Sequence, residues 1–234
     1  MAGSIRILMI SDLHFSREGV SESLAFKWLE EIVSYHSPDV LLSCGDWGED
    51  CSIENFNSIL ALTRVYSIYG NHDNLPVLRA LRNVDGTLVL LEDKVVNING
   101  LRIAGICGII AERRRVKKGV PRKRPEEYVE AAMKIARRGG ADILLIHETP
   151  PFSEYRRVMH FRESLQAVIE AMEIIRPKLV LNGHLHFSPY TLIKLEDYLY
   201  LRIISSQKMR HYALLDDSKI SIYHDRVKIL EEQL

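Results

Sequence analysis

The chain has 234 residues, of which 47% are hydrophobic and 26% charged, and its 31 basic and 31 acidic side chains cancel. That length suits one sizeable core, so a single domain over residues 1–234 is expected, and the charge balance argues against a partner recognised by overall charge, whether nucleic acid or an anionic membrane. Three cysteines, Cys44, Cys51 and Cys107, are too few and too irregular for a disulfide framework or a thiolate zinc site, and with no basic leader or long apolar run the expected location is cytoplasmic and off the membrane.

A first buried strand is predicted over Ile5–Ser11, and it runs straight into Asp12-Leu13-His14. A helix follows over about Glu22–Tyr35, with Leu24, Trp28, Leu29, Ile32 and Val33 on one face and Ser37-Pro38 as its stop. Strand Val40–Ser43 leads to Gly45-Asp46. A helix near Ile53–Leu62 precedes strand Val65–Tyr69, which ends at Gly70-Asn71-His72-Asp73, and a short helix covers Leu75–Arg82. The pattern then breaks from βαβαβα. Lys94–Ile98 and Leu101–Cys107 flank Asn99-Gly100, a two-residue hairpin signal that requires an antiparallel pair, so the sheets must be mixed. A helix from Pro125 to Arg138, closed by Gly139-Gly140, feeds strand Asp142–Ile146 and then His147. Another, near Arg162–Ile175, ends at Pro177 and feeds Leu179–Leu181 and Gly183-His184-Leu185-His186. The tail offers four short strands, Tyr190–Leu195, Leu199–Ile204, Tyr212–Leu215 and Ile220–Tyr223. They form a meander that either completes a second sheet or pairs between subunits, and the oligomeric state is left open.

Every Asp-, Asn- or His-rich motif thus begins where a buried strand ends, and ligands of open α/β sheets collect outside the carboxyl ends of strands. A centre holding two divalent ions about 3.5–4 Å apart needs a short carboxylate to bridge them and O or N ligands around each. These motifs offer such a set. Two carboxylates with neutral His and Asn leave the ions a net positive charge matched to a phosphate, whereas an all-carboxylate cage would repel it. With no sulfur ligand the set suits Mn²⁺, with Fe, Zn²⁺, Co²⁺ or Ni²⁺ as alternatives.

The ordered set Asp12-x-His14, Gly45-Asp46, Gly70-Asn71-His72-Asp73, His147 and Gly183-His184-x-His186 resembles the calcineurin-like metallophosphoesterases over residues 12 to 186. The resemblance implies an α/β fold with mixed sheets, a four-layer αββα sandwich of two mixed β-sheets flanked by helices. It also implies that Asp12, His14 and His186 bind one metal, that Asn71, His147 and His184 bind the other, and that Asp46 bridges them. The expected reaction is hydrolysis of a phosphate ester, a diester ahead of a monoester, by in-line attack of a metal-bridging hydroxide. His72 then serves as acid or transition-state stabiliser, with Asp73 behind it to orient the imidazole; Asp73 alternatively caps the helix beginning near Leu75.

Glu49 stands three residues after Asp46, where purple acid phosphatases place Tyr, so an iron–tyrosinate centre is not expected. Gly45-Asp46-Trp47-Gly48-Glu49-Asp50 also departs from the G-D-x-V-D-R-G run of phosphoprotein phosphatases. Between Ala111 and Arg124 lies a basic run, Arg113, Arg114, Arg115, Lys117, Lys118, Arg122, Lys123 and Arg124. It is either a solvated surface or a clamp for a polyanionic substrate, nucleic acid included. Tyr155, Arg156 and Arg157 form a second basic and aromatic cluster, read as a pocket rim or a plain loop. Two alternatives stay open, a nuclease using the basic loop and a catalytically inactive scaffold of the same fold.

Overall fold

The computed structural model describes residues 5–113 and 116–234. Strands β1 (Arg6–Ile10), β2 (Val40–Ser43) and β3 (Arg64–Ser67) run parallel, with Ile7 opposite Val40 and Val40 opposite Arg64. Between them run helices α1 (Ala25–His36) and α2 (Ile53–Leu62), and α3 (Leu75–Ala80) follows β3. The hairpin β4 (Val95–Ile98) and β5 (Leu101–Ile106) turns through Asn99 and Gly100, both left-handed at φ 52° and 91°, as a tight Asn-Gly turn requires. A small hairpin, β6 (Val116–Lys117) and β7 (Val120–Pro121), lies within the basic run. Then come α4 (Pro125–Arg137), β8 (Ile143–Ile146), α5 (Gln166–Ile175) and β9 (Leu179–Asn182).

The tail departs from expectation. It holds five strands, β10 (Tyr190–Lys194), β11 (Leu199–Ile203), β12 (His211–Asp216), β13 (Lys219–His224) and β14 (Val227–Gln233), and they divide between two sheets. One sheet has the order β14-β13-β12-β1-β2-β3; the other has the order β10-β11-β9-β8-β5-β4. Apolar alternation marks a strand but carries no address, so the sequence could not say which edge each hairpin joins. Strand β14 escaped notice because it is a largely exposed edge whose run VKILEEQ buries no residue fully. Other differences are the unpredicted β6–β7 hairpin, shorter ends of β3 and α3, and helix starts, where 3-10 turns at Glu22–Leu24 and Glu163–Leu165 replace the first predicted turns of α1 and α5.

Alternation sorts the residues of the second sheet. Ile143 and Leu145 of β8, Leu179 and Leu181 of β9, and Leu199, Leu201 and Ile203 of β11 join the core shared with the first sheet. Leu144, Ile146, Val180 and Tyr200 face the other way, onto Tyr128, Ala131 and Ile135 of α4 and Val168, Ala171 and Met172 of α5. On the first sheet, Phe26, Leu29, Ile32 and Val33 of α1 and Phe56 and Ile59 of α2 belong to the same buried cluster as its strands. The αββα sandwich is therefore as expected. The three cysteines are buried free thiols. Among the described residues no helix is long and apolar enough to cross a membrane.

Candidate metal centre

The turns after β1, β2, β3, β8 and β9 meet at one edge where the two sheets touch. Asp12 N donates to Gly45 O at 2.9 Å, His14 N to Asp46 O at 2.9 Å and Ser205 N to Ser11 O at 2.8 Å. Asp12, His14, Asp46 and His184 all take the left-handed backbone conformation, with φ of 54°, 51°, 56° and 70°. Each such residue costs about 1–2 kcal/mol, so tertiary contacts hold them there to aim their side chains inward. Two motif glycines are required by close approach. A Cβ on Gly70 would strike Asp46 Oδ1 and the His147 ring, and one on Gly183 would strike Ser11 Oγ and Asp12 Oδ2.

Two groups of ligand atoms result, each with its members within 4.8 Å of one another: Asp12, His14 and His186, and Asp46, His147 and His184. In the first, His186 Nε2 lies 2.9 Å from Asp12 Oδ1 and 3.2 Å from His14 Nε2. In the second, His147 Nε2 lies 3.3 Å from Asp46 Oδ2. That same Oδ2 is 3.8 Å from His14 Nε2, so Asp46 faces both groups, while its Oδ1 accepts the amides of Asn71 and His72 at 2.6 and 2.7 Å. The chemistry of the set fits cations. His147 Nδ1 donates to Cys44 O at 2.7 Å, which fixes the ring and leaves Nε2 facing the group. Among the described residues Asn71 Oδ1 is buried with no hydrogen-bond partner and His147 Nε2 has only the Asp46 carboxylate near it, an arrangement proteins avoid unless something else meets those atoms.

The protonation pattern of these side chains agrees. Burial would depress His147, but Asp46, with Asp12 behind it, carries it up to about 10. Burial would raise Asp46, and His147 brings it down to about 2. Asp12, against the same desolvation, is held well below the carboxylate range by His14 and His186. His184, desolvated and beside the His147 charge, falls to about 4. A cation must displace the proton on His147, so cation binding at pH 7 is expected to release protons, and affinity should rise with pH through the range below about 10. Calorimetry in buffers of different ionisation enthalpy checks this; an apparent enthalpy that is the same in every buffer would contradict it.

His72 is 43% exposed at the side chain and lies beside His14, their rings 5.7 Å apart. The carboxylate behind it is not Asp73. His72 Nδ1 meets Glu49 Oε1 at 2.9 Å, and Lys118 Nζ from the β6–β7 turn clasps both Glu49 oxygens at 2.8 and 2.7 Å. Asp73 points away, accepting the amides of Gly70, Asp46 and Trp47 at 2.7, 2.8 and 2.7 Å. Nor does it cap α3, whose N-cap is Asn74. The orienting role given to Asp73 is corrected accordingly: its carboxylate ties the second and third motif turns together. Burial and the Asp46 charge push it up to about 7, against the three amides. Asp73→Ala strands three buried amides, and urea unfolding should show a loss of about 3 kcal/mol or more; a loss within 0.5 kcal/mol, roughly the surface-substitution range, would deny the tie.

The basic run is divided rather than massed. Besides Lys118 on Glu49, Lys123 pairs with Asp93 at 3.0 Å, and Arg124 with Glu127 at 3.7 Å at the start of α4. Arg113 and Arg122 line a recess together with Arg162, which sequence reasoning had placed only as a helix start. Arg114 and Arg115 lie outside the described residues. Tyr155 is not a rim residue. It is buried with Tyr200, its hydroxyl on that of Tyr200 at 3.1 Å and its ring against half-buried Phe152 and exposed Phe187, because it completes the core under α5; Arg156 and Arg157 beside it are exposed. Of the other histidines, His36 packs against Tyr212, its Nε2 2.8 Å from the hydroxyl, and His211 stacks on His224.

Fold and site together define a calcineurin-like phosphoesterase, and the chain belongs to that family, whose family model matches residues 5–188. Its activity is accordingly that of a metal-dependent phosphoester hydrolase. Among solved structures it is similar to TT1561 of Thermus thermophilus, at TM-score 0.72 and 14% identity over 96% of this chain and 100% of that one. A dimetal phosphatase from Danio rerio is similar at TM-score 0.59 and 9% identity, over 98% of each chain. A phosphatase from Mycoplasma pneumoniae is similar at TM-score 0.53 and 11% identity, over 100% of this chain and 94% of that one. At these identities the likeness concerns the fold alone. No curated protein sequence matches the chain.

Proposed function

We propose that the chain hydrolyses phosphodiesters in preference to monoesters at a centre of two divalent cations, Mn²⁺ ahead of other metals. Asp12, His14 and His186 would hold one ion and Asn71, His147 and His184 the other. The observation that carries this reading is Asp46, whose Oδ2 faces His14 and His147 at 3.8 and 3.3 Å and so stands as the carboxylate common to both groups. Bound cations would supply a hydroxide near neutral pH and polarise the phosphoryl oxygens. The chain's own part is positional and protic. His72, held by Glu49 and open to solvent, gives a proton to the leaving-group oxygen, and the buried turns keep the ligands aimed. Support for diesters is electrostatic: the Glu49 carboxylate lies 2.9 Å from His72 Nδ1, where it would repel the second charge of a monoester.

A nucleic-acid-directed activity through the basic loop has less support, since Lys118, Lys123 and Arg124 already pair with the chain's own carboxylates. Metal-stripped protein is expected to hydrolyse bis(p-nitrophenyl) phosphate only after Mn²⁺ is added, and faster than p-nitrophenyl phosphate. Metal-independent turnover would remove the two-cation reading, and a monoester-dominated ratio would remove the diester preference.

A further inference from the structure

Beside the metal centre lies a recess of about 370 Å³ lined by Ala111, Glu112, Arg113, Arg122 and Arg162. Its walls spring from the same strand ends as the ligands. Gly108 N donates to Tyr69 O at 2.7 Å, next to Gly70 and Asn71, and Ala111 N donates to Lys123 O at 2.8 Å, which joins the 109–111 segment to 123 as a short parallel pair. On the other side Glu148, the residue after His147, takes the amide of Ile110 on Oε2 at 2.7 Å and that of Thr149 on Oε1 at 3.2 Å. Arg162 Nη2 stands 3.9 Å from Glu148 Oε2.

Three arginines line the recess against two carboxylates, that of exposed Glu112 and that of buried Glu148, 3.9 Å from Arg162. Arg122 Nε is buried and has no hydrogen-bond partner among the described residues. A solvated charge run does not bury a guanidinium N–H without an acceptor, because the desolvation is uncompensated. An anion would satisfy that N–H, and the planar fork of arginine matches the oxygens of a phosphoryl group.

We propose that this recess binds a second phosphoryl group of the substrate, so that the ester cleaved at the Asp46–His147 site belongs to a small molecule carrying at least two phosphates. The inference rests on the hydrolytic reading above and narrows its substrate class. Arg122 and Arg162 grip the remote phosphate, and Arg113 closes the outer rim.

The test compares adenosine 5′-monophosphate with adenosine 3′,5′-bisphosphate as competitors of bis(p-nitrophenyl) phosphate hydrolysis in Mn²⁺. In the wild type the bisphosphate should compete about tenfold or more better, as one charge-assisted contact implies. In Arg122→Gln and Arg162→Gln that ratio should fall close to one, and Arg162→Lys should restore part of it. A ratio near one in the wild type, or one unchanged in the variants, overturns the proposal. Arg113→Gln, at the exposed rim, serves where thermal unfolding shows that a deeper variant has lost its fold. Should the wild type show no Mn²⁺-dependent hydrolysis, the hydrolytic reading fails. The recess is then decided by calorimetric titration of the bisphosphate onto metal-free protein: binding lost in Arg122→Gln upholds an anion site, and equal or absent binding overturns it.

Discussion

His72→Ala is expected to keep the wild-type metal content and lose about 10²–10⁴ in kcat, the usual worth of a positioned proton donor. The reason is where its two ends point. The His72 amide donates to Asp46 Oδ1 at 2.7 Å, a contact any residue but proline preserves, whereas the ring joins neither ligand group and makes its hydrogen bond to Glu49. Substrates with an acidic leaving group, such as p-nitrophenyl esters, need less protonation and should show the smaller loss. Glu49→Gln should fall between wild type and His72→Ala. Metal analysis beside kinetics on esters of graded leaving-group pKa checks this; a variant that has lost its metals would place His72 among the ligands.

Asp46→Ala should lower affinity at both cation positions by more than about 100-fold, beyond the loss usual for residues that only support a ligand. Turnover should disappear at ordinary metal concentrations. Because Asp46 Oδ2 faces both groups, the two positions should fail together, whereas His186→Ala should weaken one and spare much of the other. The Asp46 variant also leaves the amides of Asn71 and His72 without their acceptor, so a fall in stability should accompany the loss. Titration with Mn²⁺ followed by electron paramagnetic resonance counts bound ions directly. Retention of one tightly bound ion in Asp46→Ala would mean that the carboxylate serves a single position.

The candidate ligands were legible because their chemistry is written in residue type and place. Asp, Asn and His at the ends of five apolar runs have few structural uses, and parallel strands bring those ends to one edge. Partnerships between distant loops were not legible. Glu49 appeared in the sequence only as the residue three after Asp46; its contact with His72 spans 23 residues, and its contact with Lys118 needs the β6–β7 turn to fold back across 69. Asp73 misled because adjacency in sequence suggested adjacency in function, yet neighbouring side chains on a turn diverge, and this one faces the backbone of residues 46 and 47. Arg162 carried no signal beyond its charge until Arg113 and Arg122 were seen across the recess from it. The allocation of the tail strands was hidden for the same reason, since alternation fixes a face and leaves the neighbour open.

The tail has a consequence for how the protein comes into being. β1 lies between β2 and β12, with Arg6 paired to Asp216, and Asp12 is met by the amide of His184, 172 residues further along. Ribosomal synthesis proceeds from the N-terminal side, so β1, which emerges before β12, must wait half paired for it. Pairings of this span are slow to close because loop-closure entropy is spent before the contacts repay it. A site that needs His184 beside Asp12 is therefore complete only once the chain past residue 184 has folded back.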